Sequence, residues 1–340
     1  MSAEPPGDQA RNKATSPSIA ARLLARLNRF FRKPSKPQYF EVEAYQNWLE
    51  KNGEDLYEHF YSKHTSFEGK CILDLACGYG GKAAVYGRQS PEFICGIDLN
   101  TGVIREAQGH LKELQISAEF SGAEAGLLPF LDSTFDLVIS DDGFDHFKQP
   151  ARVLDEIARV LKAGGIALIS FVPYYSSGCS HMTEYLRVPW HHVAFSRKAL
   201  RQALDLVAAE SEVMPSGTSS QRSDVSGVFS TFENQLSRLT IRQFRKALTG
   251  ISGMRLVRLR KQSRDSARPL TYLPGADELF TNALYCVLVK EESQRVRGLD
   301  FGHQILLDFA QDARALARRA GLLAASDASK RLAAERTDHP

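Results

Sequence analysis

A chain of 340 residues with 43% hydrophobic and 24% charged side chains has the balance of a folded globular protein, which excludes low-complexity and collagen-like classes. The net charge of +3 is unevenly spread: positions 1–37 hold eight basic and two acidic residues, a local +6 that leaves −3 for the remainder. A mildly acidic body does not suit a grip on a phosphate backbone, so nucleic acid is not an expected partner.

No apolar run reaches the eighteen or so residues of a spanning helix, and the first residues lack the apolar core of a secretion signal. A cytoplasmic protein is therefore expected. Cys71, Cys77, Cys95 and Cys286 lie in or beside apolar runs without metal-site spacing. They read as small buried hydrophobes, and no metal site is expected from them.

In chain order, residues 1–17 contain Pro5, Pro6, Gly7 and Pro17 and have the composition of a disordered tail. Residues 19–33 place Ile19, Leu23, Leu27 and Phe30 at helical spacing, with Arg22, Arg26 and Arg29 on a neighbouring face. Pro34 and Pro37 should stop that helix. Such a helix suits either peripheral contact with a membrane surface, the inner face for a cytoplasmic protein, or simple packing on the body. Residues 1–37 are thus read as a tail with a basic amphipathic helix, 38–291 as the main domain, and 292–340 as a helical extension with an amphipathic helix over 299–323.

Within the main domain, residues 39–64 read as helix. Apolar runs at 71–75, 93–98, 135–140 and 166–172 then alternate with helical stretches at 81–88, 102–114 and 151–161. This alternation predicts an α/β fold with a doubly wound, mostly parallel sheet covered on both faces. Residues 173–235, with Tyr174, Tyr175, Trp190, His191 and His192, break the pattern and read as a lid or substrate insertion over the sheet's carboxyl edge. A helix at 240–248 and apolar runs at 254–259 and 283–289 resume the sheet.

The segment from Cys71 to Gly81 carries the most chemistry. An apolar strand runs directly into Gly78-Tyr79-Gly80, where glycine permits positive φ and close backbone approach by a ligand. Gly78, Gly80 and Ala83 also fit the dinucleotide pattern of nicotinamide-dependent dehydrogenases, and Asp98, twenty residues after Gly78, suits ribose hydroxyls in either cofactor class. Two further features separate the classes. Asp74 lies inside the strand, where a buried carboxylate needs partners. The pieces Leu128-Pro-Phe130, Phe135-Asp-Leu-Val138 and Arg159-Val-Leu-Lys-Ala-Gly-Gly165 then follow in order, with Gly164 and Gly165 expected to end a helix before the fifth strand.

With Asp74-Leu-Ala-Cys-Gly-Tyr-Gly80, these pieces resemble the class I S-adenosylmethionine (SAM)-dependent methyltransferases of the ubiquinone/menaquinone-methyltransferase-like group, closely over residues 68–172. The resemblance implies a seven-stranded Rossmann-like sheet with one antiparallel strand and SAM as cofactor. It implies that Gly78, Tyr79 and Gly80 pass under the methionine part of SAM, with Asp74 orienting the loop or the amino end. Asp98 would bind the ribose hydroxyls with Leu99 beside it, Glu124 the adenine amino group, and Asp141 would touch the cofactor. Ala123 departs from the glycine usual before the adenine acid, and Gly122 sits one residue earlier, so that contact could shift by one position.

For the acceptor side, Asp141-Asp-Gly-Phe-Asp-His146 follows the fourth strand and is not the Asn/Asp-Pro-Pro-Tyr sequence of many amino methyltransferases. His146, His191 and His192 are the candidate general bases, imidazole having the right proton affinity. The same histidines could equally serve packing. Asp141, Asp142 and Asp145 could in principle hold a divalent ion, but no further ligands mark a metal site. The leading expectation is methyl transfer to a hydroxyl oxygen of a sugar, lipid-linked glycan or natural product. The alternatives are C- or N-methylation of a quinone or lipid-like substrate, a nicotinamide-dependent oxidoreductase, and a non-catalytic methyltransferase-like scaffold.

Overall fold

Cys71–Leu75 (β1) is apolar on both faces except for Asp74, a composition that belongs in the middle of a sheet covered on two sides. In the computed structural model, which describes residues 16–31, 41–210 and 222–291, β1 does lie inside the sheet, with a parallel strand on each side. Phe93–Asp98 (β2), Ala118–Gly122 (β3), Phe135–Asp141 (β4), Leu161–Phe171 (β5), Met254–Gln262 (β6) and Ala283–Lys290 (β7) complete a seven-stranded sheet of order β3-β2-β1-β4-β5-β7-β6. Strands β1 to β5 pair in parallel, whereas β7 runs antiparallel to both β5 and β6. The strand order reverses between β1 and β4. In open α/β sheets the crevice at the carboxyl ends of such strands is where ligands bind.

Period-two alternation sends Ile72 to one face and Leu73 and Leu75 to the other. The first face packs under Val42–His59 (α2) and Gly81–Gly87 (α3), where Phe60, Tyr61, Val85, Tyr86, Leu137, Ile139, Leu168 and Val287 form one buried cluster. The second packs under Pro150–Val160 (α5) and Ile241–Thr249 (α9), through Leu154, Ile157, Phe244 and Leu248. Thr101–Glu113 (α4) closes against α3 through Ala83, Ala107 and Leu111. Helix α2 is pinned by polar contacts as well. Glu50 receives Arg88, just past the end of α3, and stands 2.7 Å from His110 of α4, and Gln46 donates to the Tyr79 carbonyl at 3.0 Å.

Two sequence expectations change at this level. The helix over 151–161 ends at Val160, and Gly164 does not terminate it: Gly164 takes φ +73° within β5, beside a register shift against Phe135 and Leu137. Strand β3 has no counterpart among the apolar runs, because only Phe120 of its five residues is buried.

The described residues divide into two units, one of residues 41–179 and 235–291 that contains the sheet, and one of residues 16–31, 180–210 and 222–234. The second unit is helical: Ile19–Asn28 (α1), His191–Ala194 (α6), Arg197–Glu210 (α7) and Arg222–Ser230 (α8). Within it α1 is docked on α7 and is part of the same unit as the insertion. The packed face is Ala21, Leu24, Ala25 and Asn28, not the face of Ile19, Leu23 and Leu27. The helix stops at Asn28, ahead of Pro34. A short helix, Ala276–Phe280 (α10), precedes β7 in the sheet unit. The tail over 1–15, the extension over 292–340 and most of the Ser/Gly-rich stretch of the insertion lie outside the described residues.

Candidate active site

The loop between β1 and α3 is built from positive-φ positions: Ala76 at 65°, Gly78 at 53° and Gly80 at 79°. The two glycines serve different ends. A Cβ on Gly80 would stand 2.9 Å from Ala107 of α4, so glycine there lets helix α4 approach the loop. A Cβ on Gly78 would meet nothing within 4 Å, so that position faces an open space at the carboxyl end of β1. Ala76 is a strained non-glycine residue in a ligand-facing loop, a usual place for such strain.

Asp98, at the end of β2, ties this loop to the next strand. Its Oδ2 accepts from the Gly78 N–H at 3.1 Å and its Oδ1 from the Asn100 N–H at 2.9 Å. The half-buried carboxylate keeps further lone pairs for hydroxyl donors. Leu99 beside it is 74% exposed, a large apolar surface at the mouth of the same crevice. Tyr79 packs edge-on against Tyr45 of α2, with ring centroids 5.5 Å apart. Glu124 lies in the loop after β3 and is exposed, its carbonyl accepting from Leu127 N–H.

Asp74 is 3% exposed, and its Oδ2 has no hydrogen-bond partner. Burial, reinforced by the charges of Asp141 and Asp98 and opposed by Lys82, pushes its carboxyl up to about 7. A buried carboxylate oxygen without a donor is costly. It is the complement of a cationic ligand arriving at the glycine loop.

One row of side chains crosses the sheet at its carboxyl edge on the α2 face. Asp141 pairs in register with Ser170, Ser170 with Tyr285, and Tyr285 with Arg260. The Ser170 hydroxyl donates to Asp141 Oδ1. Lys82, in the first turn of α3, reaches Asp141 Oδ2 at 2.9 Å and Asp142 Oδ2 at 2.8 Å. Burial alone would lower the Lys82 ammonium, but Asp141 and Asp142 more than offset this and raise it. Burial raises the Asp141 carboxyl, and Lys82 opposes that shift. The pair Asp141–Asp142 thus closes on an ammonium.

This row floors a cavity of about 560 Å³, whose roof is α2 from Trp48 onward, with Asn52, Asp55, Leu56 and His59. That is the size range of small-molecule sites. The lining mixes aromatic faces (Trp48, Phe60, Tyr285) with hydrogen-bonding groups (Asn52, His59, Arg260, Gln262). His59 Nδ1 lies 2.9 Å from the Asp55 carbonyl. A carbonyl can only accept, so Nδ1 carries the proton and Nε2 is left as the basic nitrogen.

His146 sits in the loop after β4, a third exposed, with Nε2 3.8 Å from Asp145 Oδ2. His191 and His192 belong to the helical unit. His191 is fully buried, its Nε2 2.7 Å from the Ser180 hydroxyl and its Nδ1 2.7 Å from the Val188 carbonyl. Burial lowers it to about 4. With both nitrogens committed inside its own unit, His191 presents neither for proton transfer, which corrects its reading as a base. His192 is 6% exposed and packs edge-on against Phe232.

The structure therefore gathers Asp74, Gly78, Tyr79, Gly80 and Asp98 at the β1–β2 end, and Asp141 at the β4 end. Lys82, Ser170, His59, Arg260 and Tyr285 were not singled out from sequence. For Lys82 a signal existed: a lysine in the first turn of a helix opposes the helix dipole and needs a nearby acid. The others come from four separate stretches: Ser170, Arg260 and Tyr285 meet through strand register, and His59 through the packing of α2 on the sheet.

The strand order separates the two cofactor classes that the glycine pattern allowed. A dinucleotide-binding sheet has order 3-2-1-4-5-6 with parallel strands, whereas here the antiparallel β7 is inserted between β5 and β6. Fold and site define a nucleoside-cofactor α/β domain of the methyltransferase type. Residues 73–169 match the family model described as a methyltransferase domain, and this part of the chain is a class I SAM-dependent methyltransferase domain with SAM as its cofactor.

Similar proteins include phthiotriol/phenolphthiotriol dimycocerosates methyltransferase 1 of Mycobacterium ulcerans, 32% identical over 32% of this chain and 40% of the relative. Demethylmenaquinone methyltransferase of Thermotoga maritima is 36% identical over 30% of this chain and 44% of its own length. Phosphoethanolamine N-methyltransferase 2 of Caenorhabditis elegans is 26% identical over 50% of this chain and 40% of its own. The chain thus spans less than half the length of these curated relatives. The residues present fit SAM: open space before Gly78, a donor-starved carboxylate at Asp74, and acceptor oxygens at Asp98.

Proposed function

We propose that the protein transfers a methyl group from SAM to a hydroxyl oxygen of a small-molecule acceptor, with a sugar, a lipid-linked glycan or a glycosylated natural product as the class. The observation that carries this reading is the cavity beside Asp141 and Lys82. Its aromatic faces suit the apolar faces of a sugar ring, and its amide, guanidinium and imidazole groups suit the hydroxyl rim.

When bound, SAM supplies the activated methyl on a sulfonium, so the demanding chemistry is the cofactor's own. The residues hold, orient and deprotonate. Gly78 and Asp98 seat the nucleoside, ionised Asp74 meets the amino end, and the cavity holds and orients the acceptor. The hydroxyl proton passes to an imidazole. His59 Nε2 is the base the cavity favours, and His146 on the β4 loop is the alternative.

Incubating the protein with methyl-labelled SAM and fractionated cell extract tests the substrate class. Label is expected in glycan or lipid-linked glycan fractions; label confined to quinones would replace the oxygen acceptor with carbon. His59→Asn should lower kcat about 100-fold with SAM affinity kept. If His146→Asn does so instead, the base is His146.

A further inference from the structure

Helix α1 carries two apolar faces, and the structure uses only one. At 100° per residue, Ala21, Leu24, Ala25 and Asn28 fall on one side, and these are the residues buried against α7. Asn28 fixes the rotation: its side-chain amide donates to the Tyr185 carbonyl, and its Oδ1 accepts from the Arg187 N–H. Ser18 caps the helix by accepting from Ala21 N–H, while its own N–H donates to Gln202 of α7 at 3.0 Å. A helix clamped at both ends cannot roll its other face inward.

That other face is Ile19, Leu23 and Leu27, which are 78%, 50% and 37% exposed, continued by Phe30 at 85% and Phe31 at 38%. Beside this stripe run Arg22 and Arg26, both exposed and without an acidic partner among the described residues. Arg29, next to the packed face, is neutralised by Glu210 at 2.8 Å. Helix α1 contains no acidic residue.

We propose that this face is a docking surface for an anionic lipid bilayer. Helix α1 would lie in the interface plane, with Ile19, Leu23, Leu27 and Phe30 in the acyl boundary and Arg22 and Arg26 at the phosphates. Unpaired cations flanking a contiguous apolar stripe are the complement of an anionic headgroup layer over hydrocarbon, and an apolar protein partner would not need them. One short helix gives a reversible attachment. The inference is independent of the identity of the methyl acceptor.

The test is co-sedimentation of the full chain with vesicles of phosphatidylcholine, with and without phosphatidylglycerol. The wild type is expected to bind the anionic vesicles and to be released by salt. Ile19→Gln/Leu23→Gln/Leu27→Gln should weaken binding at least about tenfold, and Arg22→Gln/Arg26→Gln about tenfold with a shallower salt dependence. These positions are exposed, so unchanged thermal melting and SAM affinity should show that the variants stay folded. Failure of the wild type to bind anionic vesicles would overturn the proposal, as would equal binding by the triple glutamine variant. Conversion of a dimer to a monomer by that variant in light scattering, with no vesicle binding by the wild type, would also overturn it and assign the face to a second copy.

Discussion

The two ends of the carboxyl edge are made in different ways. At β1 and β2 the crevice is mostly backbone: a glycine loop with three positive-φ residues, one strand-end carboxylate fastening it, and all of it within 25 positions from Asp74 to Asp98. At β4, β5, β7 and β6 the cavity is side chain: Asp141, Ser170, Tyr285 and Arg260 come into line through register, and α2 supplies the roof. A backbone cradle fits one invariant cofactor, and few substitutions leave it intact. A floor and roof of side chains can change residue by residue while the sheet stays the same, which is where specificity for an acceptor can vary.

The sharpest break in that comparison lies at Lys82, the residue that touches both halves. Lys82→Met leaves Asp141 buried without its ammonium and should cost about 3 kcal/mol, read as a fall in thermal melting temperature. A variant melting like the wild type would mean that Asp141 is held by Ser170 alone. Next is Gly80→Ala, which combines positive-φ strain with a Cβ 2.9 Å from Ala107. A loss of about 2–3 kcal/mol is expected in denaturant titration. Asp98→Asn removes a charged acceptor and should weaken SAM about thirtyfold by calorimetry, with a much smaller effect on melting.

The remaining prediction is a pH dependence, smallest in its effect on SAM affinity. The Asp74 carboxyl is raised from 3.8 to about 7, so ionising it in the folded state without a partner is unfavourable. Stability should therefore decline as pH rises from about 4 to about 7 and then level off. A cationic ligand end reverses the preference, because it pairs with the ionised form. SAM affinity should rise about tenfold between pH 6 and 8, and Asp74→Asn should flatten that rise. A pH-independent affinity in the wild type would remove Asp74 from the cofactor's amino end.

How much of this was legible depends on how local the cause is. The strands β1, β2, β4 and β5 announce themselves as apolar runs, and the glycine loop needs φ values that a few residue types supply. Strand β3 hides because a five-residue edge strand with one buried side chain carries almost no hydrophobic signal. The helix over 19–33 showed its exposed stripe, while its packed face is made of two alanines, a leucine and an asparagine, which hydropathy does not mark. Gly164 looked like a helix end because a bulge and a helix cap call for the same positive φ. The histidines at 191 and 192 drew attention as chemistry, yet His191 is spent on Ser180 and Val188, a commitment visible only once the local turn is built. His59, by contrast, sits in an ordinary helical stretch whose nearness to β7 depends on the whole sheet.

Isothermal titration of SAM into the wild type and Gly78→Ala reads the cradle most directly: a methyl there enters the open space before the loop, and the φ of +53° adds about 1–2 kcal/mol of left-handed strain, which the melting of the variant reads separately. The account predicts one site in the wild type, no heat with a nicotinamide dinucleotide, and a folded variant whose SAM affinity is lost. Equal SAM binding by the two proteins, or none by the wild type, would contradict it.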